Sequence, residues 1–183
     1  MTKRALLLGL LLAPAALALP SGPPQLTVRG TVTTSTGEHP AWFTLICTQG
    51  TGAALSLQLM LSIDSAPDFP FDVFEGPRAR ASYQPSAQLQ VGAQRFAPSA
   101  VAGWHSGEVE GAFVFGIASA PGSATTAVQA AAALGSPGVK LIWIQLSDNP
   151  QTPPLAATFA PDDAQHRALA RIAAPCVASH PRH

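Results

Sequence analysis

Charge is scarce in this chain of 183 residues: Lys, Arg, Asp and Glu together make up 11% of it, against roughly 25% in an average soluble domain. Ten basic residues balance ten acidic residues, and neither sign forms a run along the sequence. The composition therefore argues against a basic surface for nucleic acid or for an anionic membrane, and against a charged disordered tail.

Motifs for common cofactors are also absent. The sequence contains no phosphate-binding loop, no dinucleotide fingerprint, no zinc-protease motif and no Cys-x-x-Cys pair. We therefore predict no cofactor, no metal site and no catalytic residue with a recognisable signature. No internal repeat is visible either, which excludes a solenoid or a repeat array.

The first residues have the pattern of a secretory signal peptide. A positive start at residues 3–4 precedes an apolar run at residues 5–12, and small residues end the segment at Ala18. A membrane anchor is the alternative, but Pro14 and Pro20 interrupt the run before it reaches the roughly 20 apolar residues that a span requires. We therefore predict cleavage after Ala18 and export to the periplasm or the medium.

Removal of residues 1–18 leaves residues 19–183, a length suited to one domain with a sizeable core. The leader carries two of the ten basic residues, so the mature chain has eight against ten acidic residues and a formal charge of −2. A composition rich in Ala, Pro and Gly, with one lysine beyond the leader, is typical of a GC-rich bacterial genome. The mature domain is therefore predicted to belong to a bacterial envelope.

Two cysteines remain at opposite ends of the mature chain, Cys47 and Cys176. In an oxidising compartment such a pair indicates one structural disulfide. A redox pair or a pair of metal ligands is the alternative, with His180 the nearest histidine to either cysteine.

Strand periodicity dominates the mature sequence. Leucines alternate with mostly polar residues at 55–63, whereas residues 41–48 are apolar on both faces and are typical of a central strand. Together they predict a hairpin that carries Cys47. Two helices are predicted, one over 123–134 between Ser123 and Gly135 and one from Pro161 to Pro175. The remaining predicted strands lie at 26–33, 79–84, 87–91, 111–118, 139–146 and 155–159. The predicted fold is mainly β: an antiparallel β-sandwich with one or two short helices, its C-terminal helix tied back by the disulfide.

Residues 64–80 contain too many prolines for a central strand. The phenylalanines of this segment either pack beneath it as part of the core or form an exposed aromatic patch for a partner. Its carboxylates match neither a calcium loop nor the paired acids of a glycosidase, so we expect them to be solvated. These side chains are Phe69, Phe71 and Phe74, with Asp64, Asp68, Asp72 and Glu75.

The densest polar stretch, residues 103–111, contains Trp104, His105, Glu108 and Glu110. Its serine spacing differs from that of a nucleophile elbow, and one imidazole with two carboxylates on a loop is a weak metal pattern. The sequence favours a solvated hairpin turn with Trp104 packed on the sheet. Our candidate binding surface joins this turn to the proline-rich segment and comprises Phe71, Asp72, Phe74, Glu75, Trp104 and His105.

The last third of the chain has a layout of short helix, apolar strand at 139–146, polar turn, second strand ending at Phe159, and a helix that closes on Cys176. This order resembles that of small exported accessory proteins associated with type VI secretion systems and that of similar periplasmic β-sandwich proteins. The resemblance implies a non-catalytic envelope protein.

Three functions remain open from the sequence. The first is an exported, non-catalytic protein that binds another envelope or secreted protein as an accessory or an inhibitor. The second is a small cell-wall or carbohydrate hydrolase that uses His105 with Asp72, Glu75 or Glu108, which requires these groups to converge in space. The third is a purely structural envelope component.

Overall fold

The computed structural model of the protein describes residues 24–48, 54–76, 79, 84–119 and 125–178. The predicted signal peptide, residues 1–18, lies outside these ranges. Within them, no helix is both long enough and apolar enough to cross a membrane.

The described residues are mainly antiparallel β-structure with two α-helices, as the sequence predicts. The strands are β1 (Gln25–Thr34), β2 (Gly37–Cys47), β3 (Leu55–Ser62), β4 (Pro85–Val91), β5 (Gln94–Arg95), β6 (Ser99–Ala100), β7 (Ala102–His105), β8 (Ala112–Ala118), β9 (Leu141–Gln145) and β10 (Leu155–Phe159). The helices are α1 (Thr126–Leu134) and α2 (Asp163–Ala178).

All ten strands belong to one hydrogen-bonded sheet, in the order β5-β4-β9-β10-β1-β2-β3-β8-β7 with β6 paired to β4. The predicted hairpin is confirmed, because β2 and β3 pair antiparallel from Ala41 opposite Leu61 to Cys47 opposite Leu55. The layer that faces this sheet is formed by the helices and by residues 63–76. The core therefore lies between one curled sheet and these segments.

The two ends of the sheet are joined by one bent stretch of chain. β6 pairs with β4 near one end, β7 pairs with β8 at the other, and Val101 alone separates β6 from β7. Glu75 also forms a parallel bridge with Gly103 on β7. The terminal strands β5 and β7 have only two and four residues, so they offer a short edge for the addition of a further strand.

Side chains alternate between a buried inner face and a partly exposed outer face of the sheet. α2 packs across β1 and β2, and α1 packs against β3 and β4. Burial of the inner-face side chains provides the main stabilisation of the fold. The large residues of this core include Val28, Phe43, Leu45, Leu57, Leu59, Leu89, Phe113, Phe115, Trp143 and Phe159.

Both helices begin later than the sequence indicates. The cap of α1 is Thr125, and Ser123 lies outside the described residues; the helix ends before Gly135, as predicted. α2 begins after Asp162, whose carboxylate accepts a hydrogen bond from the backbone N–H of Gln165 at 2.8 Å. The Gln165 side-chain oxygen accepts one from the backbone N–H of Asp162 at 2.9 Å, which completes a reciprocal cap.

The prediction that Pro175 ends the C-terminal helix is wrong, because α2 continues to Ala178. Proline is unfavourable inside a helix, but here the next residue is covalently anchored to the sheet. Cys176 forms a disulfide with Cys47, with Cα atoms 6.0 Å apart. The bond confirms the predicted pairing and fixes the last turns of α2 to the end of β2. A buried structural disulfide is typical of proteins that mature outside the cytoplasm.

Candidate functional site

Five phenylalanine rings form one cluster where residues 63–76 cross the inner face of β8. Neighbouring ring centroids lie 5.0–5.9 Å apart. Phe71 is 6% exposed and Phe74 is completely buried. The first alternative from the sequence, a cluster packed beneath the loop, is therefore confirmed. The cluster contains Phe69, Phe71, Phe74, Phe113 and Phe115.

The inclusion of Phe71 and Phe74 in an exposed binding surface is accordingly wrong. A short 3-10 turn at residues 71–74 directs both rings toward the sheet. Gly103 makes room for Phe74 and Phe113, because a Cβ there would lie 2.8 Å from Cβ of Phe74 and 2.6 Å from the ring of Phe113. Rings enclosed in this way cannot be contacted by a partner while the segment stays folded.

The remaining candidates, Asp72, Glu75, Trp104 and His105, are exposed. The structure brings the proline-rich segment and the 103–111 turn together, as the sequence predicts. Oε2 of Glu75 lies 3.3 Å from Nε2 of His105, and Oε1 of Glu75 accepts a long hydrogen bond of 3.5 Å from the His105 backbone N–H. The side chains of His105 and Glu75 are 56% and 42% exposed, so water reaches both groups. The His105 ring also packs on Phe113 in a T-shaped arrangement, with ring centroids 5.3 Å apart.

The carboxylates of the proline-rich segment, Asp64, Asp68, Asp72 and Glu75, are all exposed, as expected for solvated side chains. Oδ2 of Asp68 accepts a hydrogen bond of 3.4 Å from the hydroxyl of Ser35. In the described ranges, no three His, Cys, Asp or Glu side chains are grouped so that they could hold a metal ion.

Trp104 packs on the outer face of the sheet, as the sequence predicts. Its indole lies over Gly116, where a Cβ atom would be 2.7 Å from the ring. The side chain nevertheless remains 37% exposed. A glycine on the neighbouring strand thus lets the indole approach the sheet closely.

Trp104 belongs to a row of side chains that the sequence does not reveal. Strand register places Trp104 opposite Val114, Val114 opposite Met60, Met60 opposite Trp42, and Trp42 opposite Arg29. Neighbouring strands are about 4.8 Å apart, so the two tryptophans lie roughly 14 Å apart on the outer face. Trp42 and Met60 are half-buried, and Val114 between Met60 and Trp104 is buried, at 5% exposed. We call Trp42, Met60, Val114 and Trp104 the outer-face row.

A pocket of about 240 Å³ adjoins the Trp42 end of this row. Hydrogen bonds fix its walls: the hydroxyls of Thr34 and Thr36 both donate to the carbonyl of Ser65, at 2.7 and 2.8 Å. The Thr36 hydroxyl also lies 2.8 Å from Nε2 of His39. The lining residues are His39, Pro40, Trp42, Ser62, Asp64 and Ser65.

The Glu75–His105 pair lies on the inner-face side of β7, because His105 is opposite the inner-face residue Phe113 and its ring packs there. The outer face, on the side of Trp104, presents a shallow aromatic surface with a small polar pocket at one end. Such a surface can bind a protein side chain or a ring by packing and hydrogen bonding. The Glu75–His105 pair can in addition exchange a proton with a bound group. No protein-family model, curated protein or solved structure matches this chain.

Proposed function

We propose that this protein is an exported, non-catalytic binding protein that recognises another envelope or secreted protein as an accessory or an inhibitor. The observation that carries the proposal is the outer-face row. Trp104 and Val109 are the most exposed large apolar side chains in the described ranges. Tryptophan is enriched among the residues that dominate binding energy in protein interfaces, and Trp104 is aligned with Met60 and Trp42 on one face.

The topology favours recognition through side chains. Partners that add a strand to a sheet need an unpaired edge. The terminal strands β5 and β7 offer short edges, of two and four residues, and Glu75 bridges Gly103 on the outer edge of β7. The outer face, in contrast, carries no helix in the described ranges, because α1 and α2 pack on the inner face. A partner would therefore bury the parts of Trp104, Met60 and Trp42 that remain exposed.

The proposed location is the periplasm or the medium. The signal-peptide pattern of residues 1–18 and the buried disulfide both support export. The resemblance of the C-terminal third to type VI secretion accessory proteins supports an accessory role beside a secretion component. An inhibitor of an envelope enzyme would use the same surface.

The proposal predicts that the double variant Trp104→Ser, Met60→Thr loses its partner. Mild crosslinking in the native envelope, followed by purification of tagged mature protein, should yield one stoichiometric partner with the wild type. We expect the purified variant to bind that partner at least 30-fold more weakly in calorimetry, because interface anchors each contribute about 2 kcal/mol or more.

The matched control is Ile144→Thr, which removes a half-buried apolar side chain from β9 on the same outer face, away from the row. It should bind like the wild type, and circular dichroism should show both variants folded. Equal binding by the folded double variant and the wild type would contradict the proposal.

A second candidate is a small cell-wall or carbohydrate hydrolase, favoured by the 3.3 Å contact between Glu75 and His105. In that case Glu75→Gln should lower product release from purified peptidoglycan at least 100-fold, the usual contribution of a general acid or base. The binding proposal instead expects that the wild type and Glu75→Gln release equally little product. Asp148→Asn, an exposed carboxylate change on the β9–β10 turn, serves as the control.

A further inference from the structure

We propose that the pocket beside Trp42 receives an arginine side chain of the partner, an inference that rests on the binding function proposed above. The pocket continues the outer-face row, so a partner lying on the row would also reach the pocket. Its apolar walls are Trp42 and Pro40, and its one formal charge, with histidine counted as neutral, is the carboxylate of Asp64.

This lining matches the chemistry of a guanidinium group. Arginine is planar, stacks on the face of an aromatic ring and donates hydrogen bonds to a carboxylate at the same time. Trp42 supplies the aromatic ring and Asp64 the carboxylate. The carbonyl of Ser65 already accepts hydrogen bonds from two threonine hydroxyls, whereas the carboxylate of Asp64 is the negatively charged acceptor in the lining.

The charges around the pocket favour a basic partner. Three segments lie side by side at the same end of the neighbouring strands, next to the pocket. They are the β1–β2 turn, the 63–76 segment and the β7–β8 turn. The carbonyl of Gly111, for instance, accepts a hydrogen bond of 2.9 Å from the backbone N–H of Ile63, next to Asp64. The acidic residues of these three segments are Glu38, Asp64, Asp68, Asp72, Glu75, Glu108 and Glu110.

The basic residues of the described ranges lie elsewhere, with one exception. Arg95 and Lys140 lie on the β4–β9 side of the sheet, where Val91 pairs with Leu141. Arg167 and Arg171 lie on α2, which packs on the inner face. The exception is Arg29, which is exposed and directly opposite Trp42 on β1. Its charge opposes the entry of a second cation, so Arg29→Gln should strengthen binding about twofold. Arg78 and Arg80 lie outside the described residues.

The test is an NMR titration of ¹⁵N-labelled mature protein with Nα-acetyl-arginine amide, a probe that needs no identified partner. The matched ligand is the citrulline analogue, which has nearly the same shape and no charge. We expect the Trp42 indole N–H signal to shift with arginine and the citrulline analogue to bind at least fivefold more weakly.

Asp64→Asn should weaken arginine binding about threefold to fivefold, as expected for a partly exposed ion pair, whereas Asp68→Asn outside the lining should leave it unchanged. Equal binding of the two ligands, or equal effects of the two variants, would overturn the inference. N-acetylglucosamine binding more tightly than arginine would identify a sugar site instead and would also overturn it. Dimerisation that blocks the Trp42 shift would show that a second copy of the chain covers the pocket, with the same consequence.

The two proposals fail separately. Loss of arginine selectivity, with partner binding still abolished by Trp104→Ser, Met60→Thr, removes only the arginine inference. In the opposite case, the protein binds arginine selectively but the double variant still captures the partner. That result removes the outer-face proposal and leaves the arginine pocket in place. If both proposals hold, Asp64→Asn should also weaken binding of the purified partner about threefold to fivefold.

Discussion

Replacing Cys47 and Cys176 together by alanine should lower the free energy of unfolding by about 4 kcal/mol. The disulfide joins residues 129 positions apart, and closing a loop of this length removes roughly 4–5 kcal/mol of chain entropy from the unfolded state. Alanine is the appropriate replacement because both sulfurs are fully buried, where an unpaired serine hydroxyl would add its own cost. Urea unfolding monitored by circular dichroism measures the difference.

The native fold should survive this change, because the anchoring of α2 does not depend on the disulfide alone. Leu169 and Ala173 on α2 are buried against the sheet. Wild type treated with a strong reductant in urea should unfold at the same concentration as the double variant, and the variant should not respond to the reductant. A loss of less than 1 kcal/mol would show that the unfolded chain is already compact or that the bond strains the native state.

The elements with regular periodicity were predictable from the sequence. Alternating leucines at 55–63 specified β3 and its buried face, because a side-chain period of two leaves one consistent inner face. Residues 41–48 were predicted to form a central strand, and β2 does lie between β1 and β3. β2 is fully buried on the inner side, but Trp42 on its other side belongs to the partly exposed outer-face row.

The single curled sheet could not be predicted, because its closure depends on pairings between distant segments. β5 and β6 have two residues each and β7 has four, which is too short to display a period. Composition likewise does not reveal that the chain crosses from one end of the sheet to the other at Val101. The sequence therefore predicts the longer strands but not which strands close the sheet.

The candidate site was predicted in part. The meeting of Glu75 with the 103–111 turn was expected, whereas the direction of the phenylalanines was ambiguous because a 3-10 turn has neither a strand nor a helix period. Gly103 offered a usable signal, since a glycine in an otherwise regular strand often marks a close approach by a large side chain. His166 was missed: it is buried, with Nδ1 2.8 Å from the carbonyl of Leu134, and links α2 to α1.

Phe74→Ala should cost about 3–5 kcal/mol of stability, the usual loss for a buried phenylalanine. The ring is fully buried and lies 5.2 Å from Phe115 and 5.7 Å from Phe69, so its removal leaves a cavity at the centre of the aromatic cluster. Because small domains are stable by only about 5–15 kcal/mol, urea unfolding should begin at a much lower concentration. Phe74→Leu should recover part of the loss.

Asp72→Asn is the matched control, since Asp72 lies on the same 3-10 turn with its side chain exposed. It should change stability by less than about 0.5 kcal/mol, as surface substitutions usually do. The comparison also separates packing from recognition at this segment. If Phe74→Ala abolished partner binding while the unfolding curve stayed that of the wild type, the ring would have to be reachable in solution and the segment would have to open. Loss of stability with partner binding retained below the unfolding transition would instead show that the cluster supports the surface without contacting the partner.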